Sequence, residues 1–151
     1  MAKNYKQGLF KPRHPEKYKG DYRRIEYRSG WELKLMMYLD QHPHVLQWSS
    51  EEVIIPYFNP VKQKTARYFP DFYVKRLNKA KQVETIIIEI KPQGETVPPP
   101  SMSGKRALTK SYLYKATTFA INQAKWEAAD KYCKARGWKF MVMTAKDLGI
   151  T

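Results

Sequence analysis

Apolar positions divide the chain into a few readable elements. Between Gly30 and Gln41 they recur at Trp31, Leu35, Tyr38 and Leu39, the spacing of one helical face. Ser29 precedes this stretch and Glu32 follows three residues later, which is a capping-box spacing; His42-Pro43 ends the helix. Residues 53–57, Val-Ile-Ile-Pro-Tyr, read as a short strand stopped by Pro56, with a turn at Asn59-Pro60. Residues 66–74 read as an extended segment interrupted by Pro70. Val83–Ile90 is almost wholly apolar, which predicts a central strand covered on both faces. Residues 92–104 carry Pro98-Pro99-Pro100 and read as a loop within the domain. A basic helix is expected over about 105–121. A second is expected over 123–136, with Asn122 as its cap, Trp126, Ala129 and Cys133 on one face, and Gly137 as its stop. Lys139–Met143 closes the chain as a strand. This order predicts an α/β fold with a mixed central sheet flanked by helices.

The charge changes what such a domain is expected to meet. Lys and Arg number 28 against 14 Asp and Glu, a formal charge of +14 in 151 residues. That excess favours a polyanionic partner, because each cation placed on a phosphate releases a condensed counterion. The first 28 residues hold nine of the basic side chains against Glu16, Asp21 and Glu26. They read as a basic N-terminal arm (1–28), laid over the surface of a domain that spans 29–151 and ordered by its tyrosines. Cys133 is the only cysteine, which excludes an internal disulfide and a cysteine-based zinc site. No apolar run is long enough to span a membrane and no secretory leader is legible, so the expectation is a soluble intracellular or virion protein. His14, His42 and His44 lie in proline-bounded loops and read as surface residues.

The candidate chemistry lies at Pro70-Asp71 and Glu89-Ile90-Lys91. Two carboxylates and an ammonium at the ends of neighbouring strands are the minimum set for metal-assisted phosphodiester hydrolysis, with Mg²⁺ (or Mn²⁺) on the acids and the lysine beside the attacking water. Glu89 and Lys91 are two apart on a strand, so they share a face while Ile90 takes the other. The bland alternative is a strand cap at Asp71 and surface residues at 89 and 91, but an unpartnered glutamate closing an Ile/Thr run is costly to bury. Glu32 has two readings, as the N3 residue of a capping box or as a further metal ligand. Arg23, Arg24, Arg28, Lys105, Arg106, Lys110, Lys115 and Lys125 are the candidate DNA contacts. Phe58, Tyr68 and Phe69 lie near the acidic centre and could stack on bases.

Five blocks occur in this order: Tyr27-Arg28-Ser29-Gly30-Trp31-Glu32, Ile55-Pro56-Tyr57-Phe58, Arg67-Tyr68-Phe69-Pro70-Asp71, Ile88-Glu89-Ile90-Lys91-Pro92 and Asn122-Gln123-Ala124-Lys125-Trp126. Together they resemble the head-completion nucleases of T4-like tailed phages, a branch of the PD-(D/E)XK endonucleases that also includes the TnsA transposon endonuclease. The resemblance spans roughly residues 18–148. It implies a restriction-endonuclease-like core, Asp71, Glu89 and Lys91 as the catalytic set, and Glu32 as a fourth member joining the metal. Asn122 and Lys125 match a helical patch of the family. The resemblance further implies double-stranded DNA as substrate, portal, neck or tail-joining proteins as partners, and a place in the virion neck after assembly in the host cytoplasm. The alternatives it leaves are a non-catalytic neck connector and a TnsA-like transposon subunit.

Overall fold

The computed structural model describes residues 7–92, 109–144 and 146–147. In chain order these form β1 (Gly8–Phe10), β2 (Ile25–Tyr27), α1 (Gly30–Gln41), β3 (Val45–Ser50), β4 (Ile55–Asn59), β5 (Lys64–Tyr68), β6 (Phe72–Leu77), β7 (Val83–Ile90), α2 (Lys110–Arg136) and β8 (Lys139–Met143). The central sheet runs β3-β6-β7-β8; β7 and β8 pair in parallel and the other neighbours antiparallel, so the sheet is mixed. The pairs β1–β2 and β4–β5 are separate antiparallel ribbons.

The two faces of β7 carry different neighbours, and this explains its apolar run. Ile86 and Ile88 join Leu35, Met36 and Leu39 of α1, together with Trp48, Phe72 and Val74. Ile87 points the other way, against Tyr73 and the α2 residue Cys133. Farther along that second face, Ile55, Tyr57 and Tyr68 of the β4–β5 ribbon pack on Ala129 of α2. The segment before α1 is built into the first core through Phe10, Tyr18 and Ile25, with Tyr18 edge-on to Trp48 at 4.8 Å. Asp40, only 1% exposed, holds that segment in place. Its carboxylate accepts from the amides of Arg13 at 2.8 Å and His14 at 3.0 Å. Lys17 Nζ donates to the carbonyls of Asp40 and His42, satisfying the open end of α1.

The structure corrects several expectations. The buried face of α1 is Leu35, Met36, Leu39 and Asp40; Tyr38 is half exposed. Strand β3 has no counterpart in the sequence reading, because Gln47, Ser49 and Ser50 hide its alternation and a bulge lies between Val45 and Gln47. Its presence makes β6 an interior strand, flanked by β3 and β7. Residues 66–74 divide between β5 and β6, with Phe69-Pro70-Asp71 crossing from ribbon to sheet. Pro56 sits inside β4, opposite Arg67, since a two-stranded ribbon has free edges that need no donor there. The two expected helices are one, α2, capped by Thr109. Asn122 is a buried residue in its middle, so tertiary packing overrides its capping preference. Gly137 ends α2 in the left-handed conformation, φ 72°, and its amide returns to Cys133 and Lys134. A Gly137→Ala change should therefore lower stability by about 1 kcal/mol, read as a small fall in melting temperature.

Candidate active site

The sheet register builds the site. Phe72 stands opposite Ile88, so one residue beyond that pair Asp71 meets Glu89. Both carboxylates lie on the α2 side of the sheet, the side that Ile87 faces. Asp71 Oδ2 accepts from the Ile90 amide at 2.7 Å. Glu89 is 7% exposed, and the Tyr68 hydroxyl donates to its Oε1 at 2.7 Å. Its other oxygen, Oε2, lies 3.6 Å from Lys91 Nζ. The Lys91 amide donates to the Met143 carbonyl at 2.9 Å, which fixes the backbone beneath the ammonium. Lys125 reaches the same place from α2, its Nζ 5.6 Å from the Tyr68 ring centre and 5.8 Å from that of Tyr57.

Burial and the neighbouring Glu89 charge push the Asp71 carboxyl up to about 7, and Glu32 adds to the push. Burial also raises Glu89, opposed by the Tyr68 hydroxyl, Lys91 and Lys125. The Tyr68 phenol is held far above its ordinary range by burial and by Glu89, so it remains a donor. Burial and the Lys91 charge lower the Lys125 ammonium. Two buried oxygen-donor groups that repel each other, with one ammonium beside them, form a set that a hard divalent cation would satisfy. The donor chemistry therefore fits the implied Mg²⁺ or Mn²⁺.

Glu32 is placed differently. Its amide donates to Ser29 Oγ at 3.1 Å, as a capping box requires. Its carboxylate accepts from the Arg28 amide and from the Ser29 hydroxyl, each at 3.4 Å. Burial raises its pKa, and Glu51 adds to that effect. Among the described residues, no three His, Cys, Asp or Glu side chains gather closely enough to hold one ion. The structure thus brings Asp71, Glu89 and Lys91 together and leaves Glu32 beside them in its cap.

Of the expected DNA contacts, Arg23 and Arg24 are exposed around Asp21, and Arg28 pairs with Glu51 at 3.3 Å. Lys110 and Lys115 are exposed on the first turns of α2, while Lys125 belongs to the site itself. Lys105 and Arg106 lie outside the described residues, as does nearly all of the loop 92–104. Two members of the site take roles that the sequence does not signal. Tyr68 reads there as a core or stacking aromatic, yet its hydroxyl fixes Glu89. Glu51 has a left-handed backbone, φ 55°, donates its amide to the Asp71 carbonyl and faces Arg28.

The raised Asp71 carboxyl gives a pH signature in metal-free protein. With a folded pKa of about 7 above the ordinary value of 3.8, the protonated form stabilises the fold. That contribution is complete below about pH 4 and is lost as pH rises toward 7. Asp71→Asn in EDTA should therefore melt higher than the parent by roughly 4 °C at pH 8, with the gap closing toward pH 4. A gap of the same size at both pH values would contradict this cause.

Residues 42–145 match the family described as "TnsA-like endonuclease N terminal". The chain is also similar to the "Head completion nuclease" of Enterobacteria phage T4, at 36% identity over 142 residues that cover 93% of this chain and 92% of that protein. The match takes in Asp71, Glu89, Lys91 and Lys125, and its limits lie within one α/β fold. With a mixed central sheet between two helices and paired acids on its adjacent strands, the chain belongs to the TnsA-like endonuclease family and has its restriction-endonuclease-like core.

Proposed function

We propose that this chain is a metal-dependent DNA endonuclease that acts as a phage head-completion protein. The observation that carries the reading is the opposed, buried Asp71–Glu89 pair with Lys91 3.6 Å from Glu89. Asp71 and Glu89 hold Mg²⁺ or Mn²⁺, which would supply Lewis-acid stabilisation of charge on the phosphoryl oxygens. The Ile90 amide and the Tyr68 hydroxyl each hold one carboxylate oxygen, so the acids are oriented before substrate arrives. Lys91 orients the attacking water and offsets the charge that develops on the phosphate. Glu32 joins the acids by giving up cap contacts that, at 3.4 Å, are long and weak.

Arg23, Arg24, Arg28, Lys105, Arg106, Lys110, Lys115 and Lys125 hold double-stranded DNA through its phosphates, without base readout. The basic arm belongs to this grip. In the phage setting the protein works on packaged DNA, meets portal, neck or tail-joining proteins, and prepares the filled head for its tail. It would assemble in the host cytoplasm and remain in the virion neck. No described helix is long and apolar enough to cross a membrane.

Supercoiled plasmid incubated with the protein and Mg²⁺ should be nicked and then linearised, and EDTA or Glu89→Ala should stop both steps. Nicking that survives Glu89→Ala would sink the assignment. Glu32→Gln should lower the rate by about 10- to 100-fold while the melting temperature holds within about 2 °C. Full activity with a lower melting temperature would make Glu32 a helix cap and nothing more.

A further inference from the structure

The β4–β5 ribbon has two unlike faces. Ile55, Tyr57 and Tyr68 turn inward and are buried, and Tyr68 reaches Glu89. The intervening positions, Pro56, Phe58, Thr65 and Arg67, turn outward, and Phe69 continues that side. Phe58 is 55% exposed and Phe69 is 42% exposed. The Arg67 guanidinium lies 5.9 Å from the Phe69 ring centre. From residue 53 to residue 70 the chain has no acidic side chain, while Lys62, Lys64 and Arg67 are present and exposed. The ribbon tip is held by Asn59, which is 4% exposed and whose Oδ1 accepts from the amides of Val61 at 2.9 Å and Lys62 at 3.0 Å.

A positively charged, acid-free surface selects phosphates. Phosphates give two phenyl rings no reason to stand in water, and paired bases in an intact duplex offer edges, not faces. Rings beside a cation gain most from bases that have left the stack. Since the inner side of the same ribbon touches Glu89, whatever binds the outer side is held in register with the catalytic carboxylates. We infer that Phe58, Arg67 and Phe69 on the outer face of the ribbon bind DNA with unpaired bases next to the cleaved phosphodiester, as at the border of a duplex and a single-stranded flap. This rests on the nuclease reading and names its substrate more closely. Each ring is expected to contribute roughly ten-fold in affinity.

The test compares two DNAs of the same sequence, a blunt duplex and a duplex with a single-stranded flap, by fluorescence anisotropy in a full-length Lys91→Ala background that binds without cutting. A 2-aminopurine placed at the first unpaired position reports stacking. The flapped DNA should bind at least ten-fold tighter and its 2-aminopurine should be quenched. Adding Phe58→Ala and Phe69→Ala should remove both effects while leaving blunt-duplex affinity within about two-fold, as expected if the rings act only on unpaired bases. Equal affinity for the two DNAs would overturn the inference, and so would a preference unchanged in the double variant. An equal loss on both DNAs would also overturn it, by making the ribbon a plain duplex contact. Parallel cleavage by the unmodified protein separates the levels. No cutting of either DNA defeats the nuclease reading, whereas equal cutting of both defeats only this substrate assignment.

Discussion

Lys91→Ala should lower the rate of phosphodiester cleavage by about a thousand-fold, with little change in DNA affinity. The side chain lies at the end of β7 and 26% exposed, so its loss disturbs no core packing. Its ammonium is 3.6 Å from Glu89 Oε2, and its backbone is fixed by the Met143 carbonyl. The loss should therefore appear in kcat. Lys91→Arg should recover only part of the rate, because a guanidinium keeps the charge but neither fits nor exchanges a proton as an ammonium does. A Lys91→Ala protein that binds DNA tightly and still cleaves within ten-fold of the parent would remove the lysine from the chemistry.

Asp40→Ala should be the most damaging single change outside the site, costing about 3 kcal/mol, or roughly 10 °C in melting temperature. Asp40 is 1% exposed and takes two backbone amides, those of Arg13 and His14. Truncation strands both donors in a partly buried position. It also loosens the segment that brings Phe10, Tyr18 and Ile25 into the core. Asn restores one acceptor but turns a donor toward the other amide, so Asp40→Asn should recover only part of the loss. Thermal unfolding followed by circular dichroism reads this directly, and a fall of under 3 °C for Asp40→Ala would show that the amides find other acceptors.

The sequence is most legible where local chemistry and tertiary packing agree. The limits of α1 follow from Ser29 and His42-Pro43, and Gly137 ends α2 because only glycine rests easily at its positive φ. The apolar run of β7 betrays a strand covered twice. Legibility fails where a residue's neighbour is distant in sequence. Asp40 reads as one more polar residue at a helix end until the segment 27 residues earlier folds over it. Ser49 and Ser50 are buried polar residues, and they conceal β3. Asn122 looks like a cap because nothing local reveals that α2 continues through it.

The site divides in the same way. Glu89 and Lys91 share a face by strand geometry alone, and the β6–β7 register then sets Asp71 opposite Glu89. No spacing rule reports the Tyr68 hydroxyl, which arrives on Glu89 from a separate ribbon 21 residues away. Nor does any reveal that the outer face of that ribbon leaves two phenyl rings exposed.

In the proposed mechanism Asp71 and Glu89 together hold one divalent cation. Electron paramagnetic resonance of Mn²⁺ titrated into the full-length protein measures this without reference to activity. One bound ion per chain is expected in the parent, and strongly weakened binding in both Asp71→Asn and Glu89→Gln. Unchanged Mn²⁺ binding in either variant, or none in the parent, would contradict it.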